Sequence, residues 1–166
     1  MARSIEAVLP LSSLQAGLLF HARRDGARDV YVSRLALELD GDLDAPRLRR
    51  AAGALLARHQ VLRAGFVTRR SGEHAQVVAA AVEVAFVEVD LSAEADPERA
   101  WRARLDADRA TGFDLGRPPL LRFLLARLGP ARHRLLLSNH HIVLDGWSAP
   151  LVVRDLLELY AADADP

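Results

Sequence analysis

Two aliphatic-rich runs, Leu120 to Leu128 and His133 to His140, stand either side of Gly129-Pro130 and constrain the fold more than anything else in the chain. Short apolar runs bounded by a turn signal predict a hairpin of buried strands, with the proline confined to the turn where it costs no ladder hydrogen bond. A buried hairpin needs further strands beside it and helices against it, and the flanking sequence supplies both.

Val30 to Leu39 sets Val30, Val32, Leu35, Leu37 and Leu39 against Ser33, Arg34, Glu38 and Asp40, the pattern of a half-buried strand closed by Gly41. Strands are also predicted at Val61 to Thr68 and His74 to Ala80, joined by Ser71-Gly72, and at Val82 to Val89. Helical spacing appears in Leu11 to Arg24, with Leu11, Leu14, Leu18 and Leu19 in register and Ser12 or Ser13 placed to cap the first turn. Asp44 followed by Pro46 opens a second helix with Leu48, Ala51, Ala52, Leu55, Leu56 and His59 on one face. Asp96-Pro97 opens a third, running to about Asp108 with Trp101 and Leu105 inward. Ser148 is placed to cap a last helix striped with Val152, Leu156, Leu159 and Tyr160, and residues 161–166 lose the periodicity and are expected to fray. Mixed strands and helices without strict alternation predict an α+β fold, with helices packed against a mixed or largely antiparallel sheet.

A chain of 166 residues, 51% hydrophobic and 27% charged, is expected to form a single domain over 1–166 with a real core. Its 22 basic and 22 acidic residues balance, so neither nucleic acid nor a membrane surface is an expected partner. No apolar stretch is long enough to span a bilayer and no secretory signal is visible, so a cytoplasmic protein is expected.

There is no cysteine and no lysine. Thiolate nucleophiles, disulfides, cysteine-held metals, Gly-Lys-Ser/Thr phosphate loops and lysine Schiff bases are therefore excluded. Acid–base chemistry is left to His, Asp, Glu and Tyr.

Reactive side chains concentrate in Ser138-Asn139-His140-His141-Ile142-Val143-Leu144-Asp145-Gly146-Trp147-Ser148, at the end of a predicted buried strand. Neighbours on a strand face opposite ways, so His140 and His141 cannot share a pocket: one acts and the other packs. The same geometry argues against a metal held by the pair, and His21, His59, His74 and His133 show no paired ligand spacing. Asp145 lies at a turn into a helix, a positioning role. Gly146 permits close approach and has an N–H available to an anion or a polarised carbonyl. Trp147 is expected in the core.

This cluster resembles the signature of nonribosomal peptide synthetase condensation domains, within the chloramphenicol acetyltransferase-like superfamily. Three other stretches agree in order. Leu9-Pro10-Leu11-Ser12-Ser13-Leu14-Gln15-Ala16-Gly17-Leu18-Leu19-Phe20-His21 resembles the family's opening motif. Arg58-His59-Gln60-Val61-Leu62-Arg63-Ala64-Gly65-Phe66 resembles its second, with Gln60 in place of the usual Glu and Ala64 in place of the usual Thr. Phe113-Asp114-Leu115 with Pro119-Leu120-Leu121-Arg122 resembles a further stretch.

The resemblance implies the N-terminal lobe of such a domain, whose C-terminal lobe is not in this chain. In such domains an acceptor amine attacks a donor thioester, each substrate arriving on the phosphopantetheine arm of a peptidyl carrier domain. It makes His141 the active histidine, as general base or as positioner of the amine. It makes His140 and Asp145 supports, Asp145 paired with Arg63 or else Arg122, and gives Gly146 an N–H facing the oxyanion. It implies no directly bound cofactor, no metal, a C-terminal lobe and two carrier domains as partners, and an isolated lobe that is inactive.

The rivals are another acyltransferase of the superfamily, making esters or amides from acyl thioesters, and a non-catalytic carrier-docking lobe. A serine hydrolase built on Ser148 and His141 lacks the Gly-x-Ser-x-Gly elbow.

Overall fold

The structure is a computed structural model that describes residues 4–25 and 30–163. The elements run β1 (Ile5–Pro10), α1 (Ser13–Asp25), β2 (Val32–Asp40), α2 (Ala45–Arg58), a 3₁₀ turn (Gln60–Arg63), β3 (Ala64–Thr68), β4 (His74–Ala79), β5 (Ala85–Asp90), α3 (Pro97–Ala110), β6 (Leu121–Gly129), β7 (Arg132–His140) and α4 (Ala149–Ala161). Of the predicted terminal fraying, residues 164–166 lie outside the described residues.

The predicted hairpin forms. β6 and β7 pair antiparallel and lie at the centre of a four-stranded sheet ordered β2-β7-β6-β5. Both faces of this sheet are covered, which is why the two strands read as almost unbroken apolar runs. Leu121, Phe123, Leu125, Leu135 and Leu137 face a core shared with Leu48, Leu55 and Leu56 of α2 and Leu156 and Leu159 of α4. On the opposite face Ala126, Leu128 and Leu136 pack with Leu91 and with Trp101 of α3.

β5 joins β6 in parallel, and α3 makes the crossover that a parallel pair requires. The stretch predicted as a strand at Val82 to Val89 thus belongs to a different sheet from β4. β4 instead sits between β1 and β3 in a three-stranded antiparallel sheet.

The first three helix starts follow their predicted caps. The Asp44 carboxylate accepts the Arg47 N–H at 2.8 Å and Asp96 accepts that of Arg99 at 2.9 Å, each with proline in the first turn. At α1 the cap is Ser12. Its Oγ accepts the Gln15 N–H at 3.2 Å, and the Gln15 side chain accepts the Ser12 N–H at 3.0 Å, a reciprocal capping box.

Predicted strand starts shift, from Val30 to Val32, from Val61 to Ala64 and from Val82 to Ala85, and one strand is new. Residues 61–63 are not strand, because the chain folds back on itself after α2 with Leu62 N–H donating to the His59 carbonyl. β1 escapes a reading by pattern because it is an edge strand with mostly exposed side chains, so no alternation marks it. Among the described residues no helix is long and apolar enough to cross a membrane.

Candidate active site

β7 delivers the reactive cluster to the end of the central sheet. The His141 N–H donates to the Tyr31 carbonyl at 2.8 Å, which carries the pairing with β2 one residue past His140. The alternation predicted for the two histidines is observed. His140 is fully buried, and His141 is half-buried on the other side.

His140 shapes the turn that follows. Its Nδ1 accepts the Ile142 N–H at 3.0 Å and its carbonyl accepts the Val143 N–H at 3.1 Å. Its ring lies 6.4 Å from that of Tyr31, centroid to centroid. Asn139 donates its side-chain amide to the Leu144 carbonyl at 3.0 Å, and Gln15 of α1 reaches the Ile142 carbonyl at 3.4 Å while also donating to Gln76 at 3.0 Å. The loop is therefore pinned from its own strand and from α1. Neither Asn139 nor Gln15 was singled out by sequence reasoning, although the Ser12-to-Gln15 spacing is the capping-box signal that marks Gln15.

His141 is held at its side chain. Its Nε2 lies 2.9 Å from the Ser33 hydroxyl of β2, a residue that sequence reasoning also missed as a site residue.

Asp145 is exposed. Its carboxylate accepts the Ser148 N–H at 2.8 Å and its carbonyl accepts the Ala149 N–H at 3.1 Å, so the cap of α4 is furnished by Asp145, while Ser148, placed at the cap position, makes no side-chain cap bond. Hydrogen bonds from Ser148 hold this carboxyl below the ordinary carboxylate range, and the nearby His141 ring adds attraction. Gly146 is exposed, and a Cβ placed on it would meet nothing within 4 Å. Trp147, expected in the core, is 91% exposed, because the loop carries it outward before α4 begins.

The predicted arginine partners of Asp145 are elsewhere. Arg63 is buried where α2 ends and β4 ends: its guanidinium donates to the carbonyls of Leu56, at 2.9 Å, and Ala79, and pairs with Glu6 at 2.6 Å. It satisfies the carbonyls that a helix terminus leaves open. Arg122 is drawn to Asp108 at 2.6 Å on the α3 face of the sheet. There Arg34, at 2.8 Å, and Ser138, at 2.7 Å, reach the same carboxylate. Arg34 and Arg122 also donate to the carbonyls that end α3. Burial works to neutralise Asp108, but the bonds from Arg122, Ser138 and Arg34 outweigh it and hold its carboxyl below the ordinary value.

A cavity of about 690 Å³ opens on that same face, between α1, β3 and the segment after α3, with Leu19, Arg23, Arg34 and Phe113 in its wall. His141, on the opposite face, does not line it. Among the described residues no group of three or more His, Asp or Glu side chains is arranged to hold a metal ion. What the site can offer chemically is an imidazole fixed by a hydroxyl, a carboxylate that is ionised at neutral pH, and a glycine open to approach.

A condensation-domain family model matches residues 5–165. A linear gramicidin synthase of Brevibacillus parabrevis is 39% identical over 163 residues, which is 96% of this chain and 3% of that protein. Bacitracin synthase 3 of Bacillus licheniformis is 32% identical over 160 residues, 96% of this chain and 2% of that protein. Among solved structures, the first condensation domain of the calcium-dependent antibiotic synthetase, in complex with a substrate analogue, superposes with a TM-score of 0.84 at 32% identity. That match covers 95% of this chain and 38% of the solved one. The chain therefore spans a few hundredths of the length of these curated relatives and about two fifths of the solved domain.

Proposed function

The chain belongs to the condensation-domain family, and from that premise we propose that it is the N-terminal lobe of a peptide-bond-forming condensation domain of a nonribosomal peptide synthetase. The observation that carries this reading is the division of labour between two adjacent histidines. His140 is locked into the loop it shapes, whereas His141 presents a half-buried, hydrogen-bonded imidazole beside Asp145 and an unobstructed Gly146.

The substrates are an acyl or peptidyl thioester and an amino-acyl thioester, each carried on the phosphopantetheine arm of a carrier domain. The acceptor amine attacks the donor carbonyl, a C–N bond forms, and the C–S bond breaks to release the donor thiol. A free α-amine titrates near about 8, so a fair fraction of acceptor is already nucleophilic at neutral pH. His141 therefore acts chiefly by orienting the amine and stabilising charge as the tetrahedral intermediate forms, with proton transfer a smaller share. The Gly146 N–H faces the developing oxyanion, and Asp145 holds the loop while remaining charged. No metal takes part and no cofactor is bound directly.

The opposite wall of the site comes from a C-terminal lobe. Trp147, 91% exposed, and Leu151, 51% exposed, flank the start of α4 and support a partner surface at that end of the molecule. The lobe alone is thus expected to condense poorly or not at all.

The test is mass spectrometry of amide formation from two loaded carrier domains, with this chain alone and with a C-terminal lobe supplied. Product that requires the added lobe supports the reading. Absence of product in both arms, or efficient turnover only with a coenzyme A thioester, assigns the chain to another acyltransferase branch or to a docking role.

A further inference from the structure

We infer that Ser33 is a positioning residue for the reaction proposed above: its hydroxyl holds the His141 imidazole in one orientation. The inference rests on that proposed function for its effect on turnover, and on the geometry alone for its effect on the ring.

Ser33 interrupts a row of leucines on one face of its strand. Leu35, Leu37 and Leu39 occupy the same face of β2 and lie opposite Leu137, Leu135 and His133 of β7. A leucine at 33 would continue that row. Ser33 is half-buried, and its hydroxyl is best accommodated there with a hydrogen-bond partner.

The partner is specific. Ser33 lies opposite Asn139 in the strand register, but Asn139 directs its amide to the Leu144 carbonyl instead. His141, two residues further along β7, lies diagonally across on the same face, and its Nε2 comes to 2.9 Å from Ser33 Oγ. Because the His141 N–H is already tied to the Tyr31 carbonyl, its backbone is fixed at one end and its ring at the other.

A hydroxyl suits this place better than an amide or a carboxylate would. It donates to a bare Nε2 and accepts from a protonated one, at the same distance and without moving. The ring therefore keeps its orientation both at rest and when it gains a proton or partial positive charge during attack. A carboxylate would bias the ring toward the cation, and an alanine would leave it free to turn.

Imidazole ¹⁵N shifts of this chain, recorded for the wild type, Ser33→Ala and Ser33→Thr, test the inference. Amide-proton spectra of the same samples confirm folding. Ser33→Ala should move the His141 Nε2 shift away from its hydrogen-bonded wild-type value, and Ser33→Thr, which retains the hydroxyl, should restore that value. With a C-terminal lobe supplied, Ser33→Ala should lower kcat by about tenfold and leave KM within about twofold, as loss of an oriented transition-state group predicts. Unchanged His141 shifts in folded Ser33→Ala overturn the inference, as does unchanged kcat in an active pair. An acyl group found on Ser33 itself overturns it too, by making the serine a nucleophile. If wild-type chain and lobe form no amide, the proposed function fails while the ring shifts still decide the role of Ser33.

Discussion

The carboxylate of Asp145 accepts the backbone N–H of Ser148 at 2.8 Å, and this bond, together with its carbonyl to Ala149, turns the chain from the histidine loop into α4. Capping by Asp or Asn is nearly equivalent, whereas alanine cannot cap. Asp145→Ala should therefore lower the melting temperature at pH 7, and Asp145→Asn should retain most of the wild-type value. The carboxyl is held below its ordinary range by Ser148, so its folded value lies under the unfolded one, near about 3.9. The stabilisation is then fully present above the unfolded value and is lost as pH falls through the folded value. Melts from pH 7 to pH 3 should show the gap between wild type and Asp145→Ala narrowing only at the acid end. A variant that melts like the wild type yet loses turnover would move Asp145 from cap to catalysis.

Arg63, 6% exposed, ties the end of α2 to the end of β4 and to Glu6 of β1, and Arg63→Ala removes all of these links at once. Breaking a buried, multiply bonded charge by removing one partner costs about 3 kcal/mol, largely because the groups left behind are not resolvated. Urea unfolding should show a loss of that order. Arg63→Lys should recover little of it, since an ammonium cannot present a fork to several acceptors at once. A loss below about 1 kcal/mol would mean that water replaces the guanidinium.

The parts of the fold legible in the sequence were those fixed by local rules. Asp44 and Asp96 with their prolines marked helix starts, and Gly129-Pro130 marked the central hairpin. What stayed hidden depended on partners far away in the chain. β1 has no pattern because its stability comes from pairing with β4, some seventy positions on (Leu9 with Gln76). The arginines could not be assigned by spacing, since Arg63 is claimed by nearby helix-end carbonyls and Arg122 by Asp108, across an α3 whose position only the parallel crossover sets. Within the site, strand alternation separated His140 from His141, but Ser33 required the β2–β7 register.

Gly65 and Gly146 are glycines for different reasons. A Cβ at Gly65 would sit 2.9 Å from Pro118 Cδ and 3.2 Å from the Gly116 carbonyl oxygen, where the segment after Phe113 crosses β3. Gly65→Ala should cost about 1–3 kcal/mol through overpacking. A Cβ at Gly146 meets nothing within 4 Å, so Gly146→Ala should unfold at the same denaturant concentration as the wild type. If substrate approaches the Gly146 N–H across this open face, the added methyl should obstruct it, and the same variant should lose condensation activity in the presence of the second lobe. Equal stability with equal turnover would show that the reaction does not need the space a Cβ would fill at this position.

The two histidines should give opposite results on substitution. His140 has no exposed surface, and its Nδ1 and carbonyl hold the N–H groups of Ile142 and Val143. His140→Ala leaves a cavity and an unpartnered buried N–H, a combination worth about 2–4 kcal/mol, so it should melt early and lose activity as a consequence of lost structure. His141 is half-buried, and its side-chain contact is with the Ser33 hydroxyl, so His141→Ala should melt close to the wild type. Its condensation rate, measured with loaded carriers and a supplied C-terminal lobe, should fall by about 10²–10⁴-fold, the usual share of a positioned acid–base group. The decisive comparison is the ratio of activity lost to stability lost in the two variants. A His141→Ala protein that retains full turnover would remove the residue from the mechanism, and a His140→Ala protein that folds normally but is inactive would transfer the role to its neighbour.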